Sequence, residues 1–508
     1  MFSRVPHADT EMPVRSIPSG GLPTAQPRYV VWEITLLCNL KCSHCGSRAG
    51  APRNDELTTA ECIALIGELA RAGTKEIVLI GGEAYLRPDW LVLVEEITRN
   101  GIVCGLQTGA RALTETKIEA AARAGLKTVG VSIDGPAATH DRLRGIKGSH
   151  GQAVAAIRNA RKHGLMATAN SQVNRLTLGG LRDIFDTIID AGASAWQIQL
   201  TVPMGNAADA PSLLLQPFDL AALMPELFAL FEEGLDRGLQ LMPGNNIGYF
   251  GPYEAAWRST SGRFEYYGGC QAGRAGLGIE ADGAIKGCPS LPTAAYVGGN
   301  IRDRSFTDIW NDSAELRFMR DLDESRGRRW GFCAKCYYGP MCRAGCSWTT
   351  HVLSGRPGNN PFCHYRVLRL AERGWREVIV QRTRPSGRQP FDHGCFDIMI
   401  EDAHGRRYGQ EVYASDEFQD LAPDAAARLD QLLLCESCKH FFYQGEPECP
   451  HCHAGADATN SADDHVRVVQ RVMQHHNEIE QILRRIAAPA KVVWSNQTQP
   501  RRVSHECK

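Results

Sequence analysis

A chain of 508 residues is too long for one ordinary core, so two or three domains are expected. Its 56 lysines and arginines nearly balance 57 aspartates and glutamates, leaving no electrostatic case for nucleic acid or an anionic membrane as the main partner. The opening MFSRVPHADTEMPVRSIPSGG has no apolar core of signal-peptide length, and no stretch approaches the roughly 18 apolar residues of a membrane span. A soluble, cytoplasmic protein is expected.

From about Tyr29 to Gly238, strand-like and helix-like runs alternate. The strands are YVVWEIT (29–35), KEIVLI (75–80), IVCGLQ (102–107), KTVGVSI (127–133), LMATANSQV (165–173) and SAWQIQL (194–200). One intervening helix starts at TTAE, where Thr58 and Glu61 have capping-box spacing, and stops before Gly73. Another opens at Pro88-Asp89 and ends at Gly101; a third ends at Gly125. Such alternation predicts a parallel sheet buried on both faces, with ligands beyond the carboxyl ends of its strands.

Eighteen cysteines fall mostly in short clusters without an export signal, a pattern of metal or cluster ligation in a reducing compartment. Cys62 in a helical pattern and Cys104 in a strand read instead as small buried hydrophobes. After the first strand, CNLKCSHC places Cys38, Cys42 and Cys45 on a loop facing the active-site end. Three thiolates on a four-iron cluster leave one iron open to an outside ligand. Zinc is the alternative, with His44 as a fourth ligand, although zinc sites usually pair two separated CxxC elements.

Further on, Cys270 is followed by C-x12-G-x4-C spacing to Cys288. CAKCYYGPMCRAGC then supplies Cys333, Cys336, Cys342 and Cys346, and Cys363 follows. RTRPSGRQP (382–390) reads as a linker. CESCKHFFYQGEPECPHC gives Cys435, Cys438, Cys449 and Cys452, two knuckles with a strong four-thiolate signal. A zinc ribbon is expected, a rubredoxin-like iron site being the alternative, with His440, His451 and His453 as bystanders. Phe441, Phe442 and Tyr443 are expected as exposed aromatics able to dock a substrate, a stability module or dimer contact being the alternative. Val469, Val472, His476, Ile479, Leu483 and Ile486 mark a helical stripe. Cys395 and Cys507 stay unassigned.

CNLKCSHC resembles the hallmark motif of the radical S-adenosylmethionine (SAM) enzymes. GGEA (81–84) resembles their glycine-rich SAM-binding strand end, implying contacts from Gly81, Gly82 and Glu83, with Ala84 where the family usually has proline. VSIDGPAATHDRLRG (131–145) resembles the region supplying ribose and carboxylate contacts, with Ser132 and Arg144 as candidates. Gln107, Asn170 and Leu200 match in style at later strand ends. The seven cysteines from 270 to 363 resemble the SPASM extension of a subset of these enzymes. The resemblance implies an α/β fold with a partial (β/α)6 TIM-type barrel, and two auxiliary four-iron clusters. Cys270, Cys288 and Cys346 would hold cluster I; Cys333, Cys336, Cys342 and Cys363 would hold cluster II. CQAGRAGLG lacks the eighth cysteine of some relatives, so cluster I has an open iron or a ligand from elsewhere, Cys395 being the first candidate. Expected boundaries are an extension to 28, the barrel over 29–238, a bridge over 239–269, the SPASM domain over 270–366, a linker over 367–390, and a C-terminal domain over 391–508.

Implied cofactors are three [4Fe-4S] clusters and SAM, with zinc in the ribbon. The implied chemistry is cleavage of SAM to a 5′-deoxyadenosyl radical that takes a hydrogen from an unactivated carbon. The expected function is maturation of a ribosomally made peptide or protein side chain by crosslinking. Alternatives are formylglycine formation, dehydrogenation of a small alcohol, or a non-enzymatic electron carrier. Expected partners are the peptide or protein substrate, a flavodoxin or ferredoxin, and a separate peptide-binding protein. Asp134 and Asp141 lie near the region of a general base, but no catalytic residue is assigned.

Overall fold

The computed structural model describes residues 25–258, 266–320, 328–415, 418–424, 426–435 and 437–455. The helical stripe from Val469 to Ile486, Cys507 and most of the N-terminal extension lie outside the described residues. All six expected strands form: β1 (Tyr29–Glu33), β2 (Glu76–Ile80), β3 (Val103–Thr108), β4 (Thr128–Ser132), β5 (Met166–Val173) and β6 (Ala195–Leu200). They pair in parallel and in sequence order. The first crossover helix, Thr59–Arg71, has the full capping box: Glu61 N donates to Thr58 Oγ1, and Thr58 N donates to Glu61 Oε2 at 2.7 Å.

The sheet runs on past these six. β7 (Gln240–Pro243) pairs in parallel with β6, inside the stretch expected as a bridge. At the other edge β8 (Gly276–Ile279) pairs in parallel with β1 and continues antiparallel into β9 (Ala284–Lys286) and β10 (Val297–Asn300). The first SPASM strands therefore extend the barrel sheet itself, because the backbone edge of β1 would otherwise stay unpaired.

Period-two alternation divides each strand. Val30, Trp32, Ile77, Leu79, Cys104, Leu106, Val129, Ala169, Trp196 and Ile198 are buried beneath the crossover helices. On the opposite, concave face Gln107, Ser132, Asn170, Gln172, Gln197 and Gln199 are half-buried, so the lumen is lined with amides and a hydroxyl. Cys62 and Cys104 belong to the apolar layer, as expected. Pro211–Asp236 is apolar and long enough to cross a membrane, which corrects the expectation that no stretch is. Two-thirds of its most apolar window is buried against the fold, as a core helix would be.

The expected linker is structured. β11 (Arg376–Thr383) pairs antiparallel with β12 (Cys395–Glu401), and β13 (Arg407–Tyr408) completes a three-stranded sheet. RTRPSGRQP is thus the end of β11 and the tip of a hairpin. β14 (Arg428–Leu434) and β15 (Phe441–Gln444) form a second hairpin carrying the cysteine knuckles.

Candidate active site and cysteine centres

Cys38, Cys42 and Cys45 lie half-buried on the loop after β1. The next strand end meets it closely: Gly82 N donates to Thr35 O and Glu83 N to Leu37 O. A Cβ on Gly82 would stand 2.3 Å from Leu37 O and 2.7 Å from Cys38 Cβ, so glycine is required for the loop itself. Ala84 opens a short 3₁₀ turn, a position where proline would also fit. Glu83 is buried; its carboxylate accepts from Thr108 Oγ1 and, at 2.7 Å, from Gly109 N. It ties the ends of β2 and β3 together behind the cysteine loop.

Arg144 turns its fork onto Asp134, with Nε 2.8 Å from Oδ2, and reaches Cys42 Sγ at 3.8 Å. Asp134 Oδ1 also accepts from Gln172 N at 2.8 Å. Both oxygens are engaged, and despite the cost of burial Arg144 holds the carboxyl below the usual range, so Asp134 anchors this loop. Asp141 is an anchor too, accepting from Gly148 N, Ser149 Oγ and His150 N. Gln107, Ser132 and Asn170 meet on the lumen face, where Asn170 Nδ2 donates to Gln107 Oε1. Leu200 does not join them. It is 2 % exposed in the helix-side layer, and its backbone N–H and C=O are both bonded to the Asn246 amide. Its strand phase matches Trp196 and Ile198, which is the physical reason.

His44 is buried with Nε2 3.6 Å from Asp134, and burial lowers it to about 4. Among the described residues, only Cys435, Cys438, Cys449 and Cys452 bring three or more ligand atoms within 4.8 Å of one another. Cys38, Cys42, Cys45 and His44 thus lack the spacing of a single ion, which corrects the zinc alternative there. Burial pushes Cys38 up to about 12 and Cys42 up to about 11, so these thiols ionise only against a strong positive charge. A bound iron cluster fits that donor set.

Cys333, Cys336, Cys342 and Cys363 line one pocket, walled by Tyr249, Phe250, Phe332 and Tyr338. Arg366, fully buried and paired with Glu377, reaches Cys333 Sγ at 3.8 Å. Four thiols around one mainly apolar pocket fit a cluster. Cys270, Cys288 and Cys346 form the other set: burial and the neighbouring thiols raise Cys346 to about 12. Cys395, at the head of β12, is buried and disulfide-bonded, so it offers no thiolate to that set.

A sequence model of the radical SAM superfamily matches residues 32–185, and one of the SPASM iron–sulfur cluster-binding domain matches 270–337. The AdoMet-dependent heme synthase of Methanosarcina barkeri is 30% identical over 358 residues, 68% of this chain and 98% of that one. The chain is a radical SAM enzyme with a SPASM domain. Mycofactocin maturase MftC of Mycobacterium tuberculosis is 27% identical over 390 residues, 76% of this chain and 91% of that one. Two solved structures share the fold. Streptococcus suis SuiB bound to its precursor peptide SuiA has a TM-score of 0.52 at 15% identity, covering 66% of this chain and 75% of that one. Native anSMEcpe with bound AdoMet has a TM-score of 0.52 at 17% identity, covering 66% and 93%. Membership implies [4Fe-4S] clusters and SAM as cofactors.

Beyond the SPASM cysteines, the four-thiol ribbon has Cys435 Sγ 3.6 Å from Cys452 Sγ and Cys438 Sγ 3.6 Å from Cys449 Sγ. A tetrahedron with metal–sulfur bonds of about 2.3 Å has edges of about 3.8 Å, so one ion fits. Phe441, Phe442 and Tyr443 are all buried, which corrects their reading as an exposed docking surface. They face Tyr337 and Tyr338, which stand between Cys336 and Cys342. Tyr338 OH lies 2.6 Å from Phe441 O and 2.8 Å from His451 Nε2; Tyr337 OH donates to Glu446 and accepts from Tyr443 N. The ribbon thus bonds to Tyr338, a residue that lines the second SPASM pocket of this radical SAM enzyme.

Sequence reasoning missed Trp348. It packs against the apolar cluster of Ala272, Leu291, Tyr296, Phe318 and Met319, on which Cys270 and Cys288 also pack, and against Val202, Met204, Val352 and Phe391. Its Nε1 donates to Met204 Sδ at 3.3 Å. The indole therefore touches both the apolar residues after β6 and the apolar cluster beside Cys270 and Cys288. An aromatic two residues after Cys346 was the only available signal.

Proposed function

We propose that this radical SAM/SPASM enzyme oxidatively modifies a peptide or protein side chain held in the barrel lumen, forming a crosslink. With SAM and the clusters bound, the cofactors supply a 5′-deoxyadenosyl radical for hydrogen abstraction and an acceptor for the electron that leaves the substrate. The chain orients and shields. Gln107, Ser132, Asn170, Gln172, Gln197 and Gln199 offer donors and acceptors suited to peptide amides and to a ribose. Arg144 and Glu83 hold the surrounding loops; the proposed SAM contacts are Gly81, Gly82, Glu83, Gln107, Ser132, Arg144 and Asn170. Among the described residues, Cys270, Cys288 and Cys346 leave one corner of auxiliary cluster I without an assigned protein thiolate, a place where a substrate thiolate could bind and gain from fixed geometry. The ribbon ion is proposed as zinc.

The observation supporting this reading is the row of amides on the lumen face of the sheet, with Trp348 packed both on residues after β6 and on the apolar cluster beside Cys270 and Cys288. A flavodoxin or ferredoxin is the proposed electron donor. A second reading, oxidation of a porphyrin side chain, is favoured by the heme synthase relative. The test is anaerobic incubation with SAM, dithionite and either short peptides encoded beside the gene or an iron porphyrin precursor. A peptide that stimulates 5′-deoxyadenosine release and loses two hydrogens by mass supports the first reading. Turnover of the porphyrin alone replaces it with the second.

A further inference from the structure

The tip of the β11–β12 hairpin, far beyond the SPASM cysteines, rests on the cysteine loop of the barrel. Phe391 N donates to Gly46 O at 3.1 Å, and Gly205 N donates to Asp392 O at 2.7 Å. Arg48, three residues after Cys45, spends all five of its N–H donors in one place. Nε donates to Asp392 Oδ1 at 2.7 Å, Nη1 to Asn206 Oδ1 and Asp209 Oδ2, and Nη2 to Gly205 O and Asp209 Oδ1. Asp392 Oδ2 in turn accepts from Ser386 Oγ and Gly387 N, both at 2.7 Å.

The same knot reaches the ligand backbone. Asn206 N donates to Cys45 O and Asn206 Nδ2 to Cys42 O, each at 2.9 Å. Arg48 and Phe391 have φ of 49° and 59°, left-handed conformations that a side chain disfavours. Strain on both sides of one contact indicates that the contact holds it there. Phe391 is also clamped from the SPASM side, where Lys286 Nζ sits 4.1 Å over its ring.

We infer that Arg48 and Asp392 are positioning residues for the radical SAM site: the hairpin tip sets the conformation of the Cys42–Cys45 segment, and hence the open iron to which SAM binds. The sequence read RTRPSGRQP as a linker; this pair ties the hairpin tip that it forms to the radical site. The inference rests on the proposed assignment of Cys38, Cys42 and Cys45 as the first cluster's ligands, and not on any substrate.

The test uses reconstituted full-length enzyme with Asp392→Ala, and with Ser386→Ala as a milder change that removes one bond to Asp392. SAM is titrated against the paramagnetic resonance signal of the reduced first cluster, and amide hydrogen exchange is followed over residues 42–50. Losing a charged hydrogen-bond partner is expected to raise the SAM concentration for half-saturation about tenfold in Asp392→Ala, and less in Ser386→Ala. Exchange over 42–50 should rise, while the signals of the two auxiliary clusters stay as in the wild type. Asp402→Asn, at the far end of the hairpin, should change neither. Unchanged SAM titration and exchange in both tip variants would overturn the inference. Equal loss of all cluster signals in Ser386→Ala would also overturn it, by making the knot a general fold contact.

Discussion

Glu33 closes β1 in a buried knot of charges. Its Oε1 accepts from Arg53 Nε and Nη2, Arg53 Nη2 lies 3.1 Å from Glu280, and Lys286 Nζ lies 2.6 Å from Glu280. Burial outweighs the Arg53 charge and raises Glu33 to about 7, with Glu280 adding to the rise. A carboxyl raised in the folded state stabilises the fold below its unfolded value near 4.5, and that contribution is lost as pH climbs through about 7. Glu33→Gln carries no such proton. Its stability relative to wild type is therefore expected to improve from pH 5 to pH 7.5 by on the order of 2 kcal/mol. Thermal melts of the two holoproteins at several pH values read this, and a difference that does not vary with pH removes Glu33 as the titrating group. At this scale the sequence was informative where chemistry is local. Cysteine spacing and the Thr58–Glu61 capping box are both confined to a few residues. Arg48 and Asp392 were invisible because 344 positions separate them and only the folded chain joins them. Leu200 is a different failure: the alternation Trp196, Ile198, Leu200 against Gln197, Gln199 already placed it on the apolar face, and a motif likeness was preferred to that phase.

At the scale of elements, the β14–β15 hairpin cannot bury a core alone, so it borrows one. Phe441, Phe442 and Tyr443 join the main apolar core, and Tyr337 and Tyr338 bond to the hairpin backbone from within the second SPASM cysteine segment. A metal held by the ribbon would stiffen the hairpin that bonds Tyr338, a wall residue of the neighbouring pocket, and so act as a lid. Replacing Cys435 and Cys438 by serine is expected to release the ribbon ion and loosen Tyr338 from the wall of the neighbouring cavity. About four irons, one cluster, should then be lost to a mild chelator much faster than from wild type. Radical SAM cleavage of SAM without substrate should persist, since the hairpin tip at Asp392 is untouched. Wild-type iron retention in the metal-free ribbon variant would show that the lid has no hold on the cluster. The two knuckles were legible as a four-thiolate site because ligand spacing is a sequence property. The direction of the three aromatics was not, since an apolar face reads alike whether it meets solvent, a substrate or the chain's own core. The same ambiguity hid β11, whose continuation RTRPSGRQP is rich in the residues of linkers and hairpin tips alike.

Across the whole molecule, the cysteine sets follow one another from the barrel outward. The β1 loop meets the hairpin tip, Trp348 joins that region to Cys270 and Cys288, and Tyr249 relates the two SPASM sets, its hydroxyl bonding Cys346 N and its carbonyl approaching Cys363 Sγ at 3.6 Å. Tyr338 then leads from the second cavity to the ribbon. The barrel was readable because strand and helix periods alternate over its length; the joining of β8 to β1 was not, since the 242 residues between Glu33 at the end of β1 and Gly276 at the start of β8 carry no pairing signal. This order makes the centres separable by mutation. Anaerobically reconstituted protein is expected to hold about twelve irons as three four-iron clusters, with one further ion in the ribbon. Replacing Cys38, Cys42 and Cys45 together by alanine removes ligands from a loop that packs on β2 and the hairpin, leaving both SPASM sets and the ribbon with their own thiols. Such a variant should keep about eight irons and the ribbon ion, and release no 5′-deoxyadenosine from SAM with dithionite. Metal analysis and product chromatography on the same sample decide it. Continued SAM cleavage would mean that the chemistry does not start at the β1 loop, and loss of all twelve irons would mean that the three centres assemble as one unit.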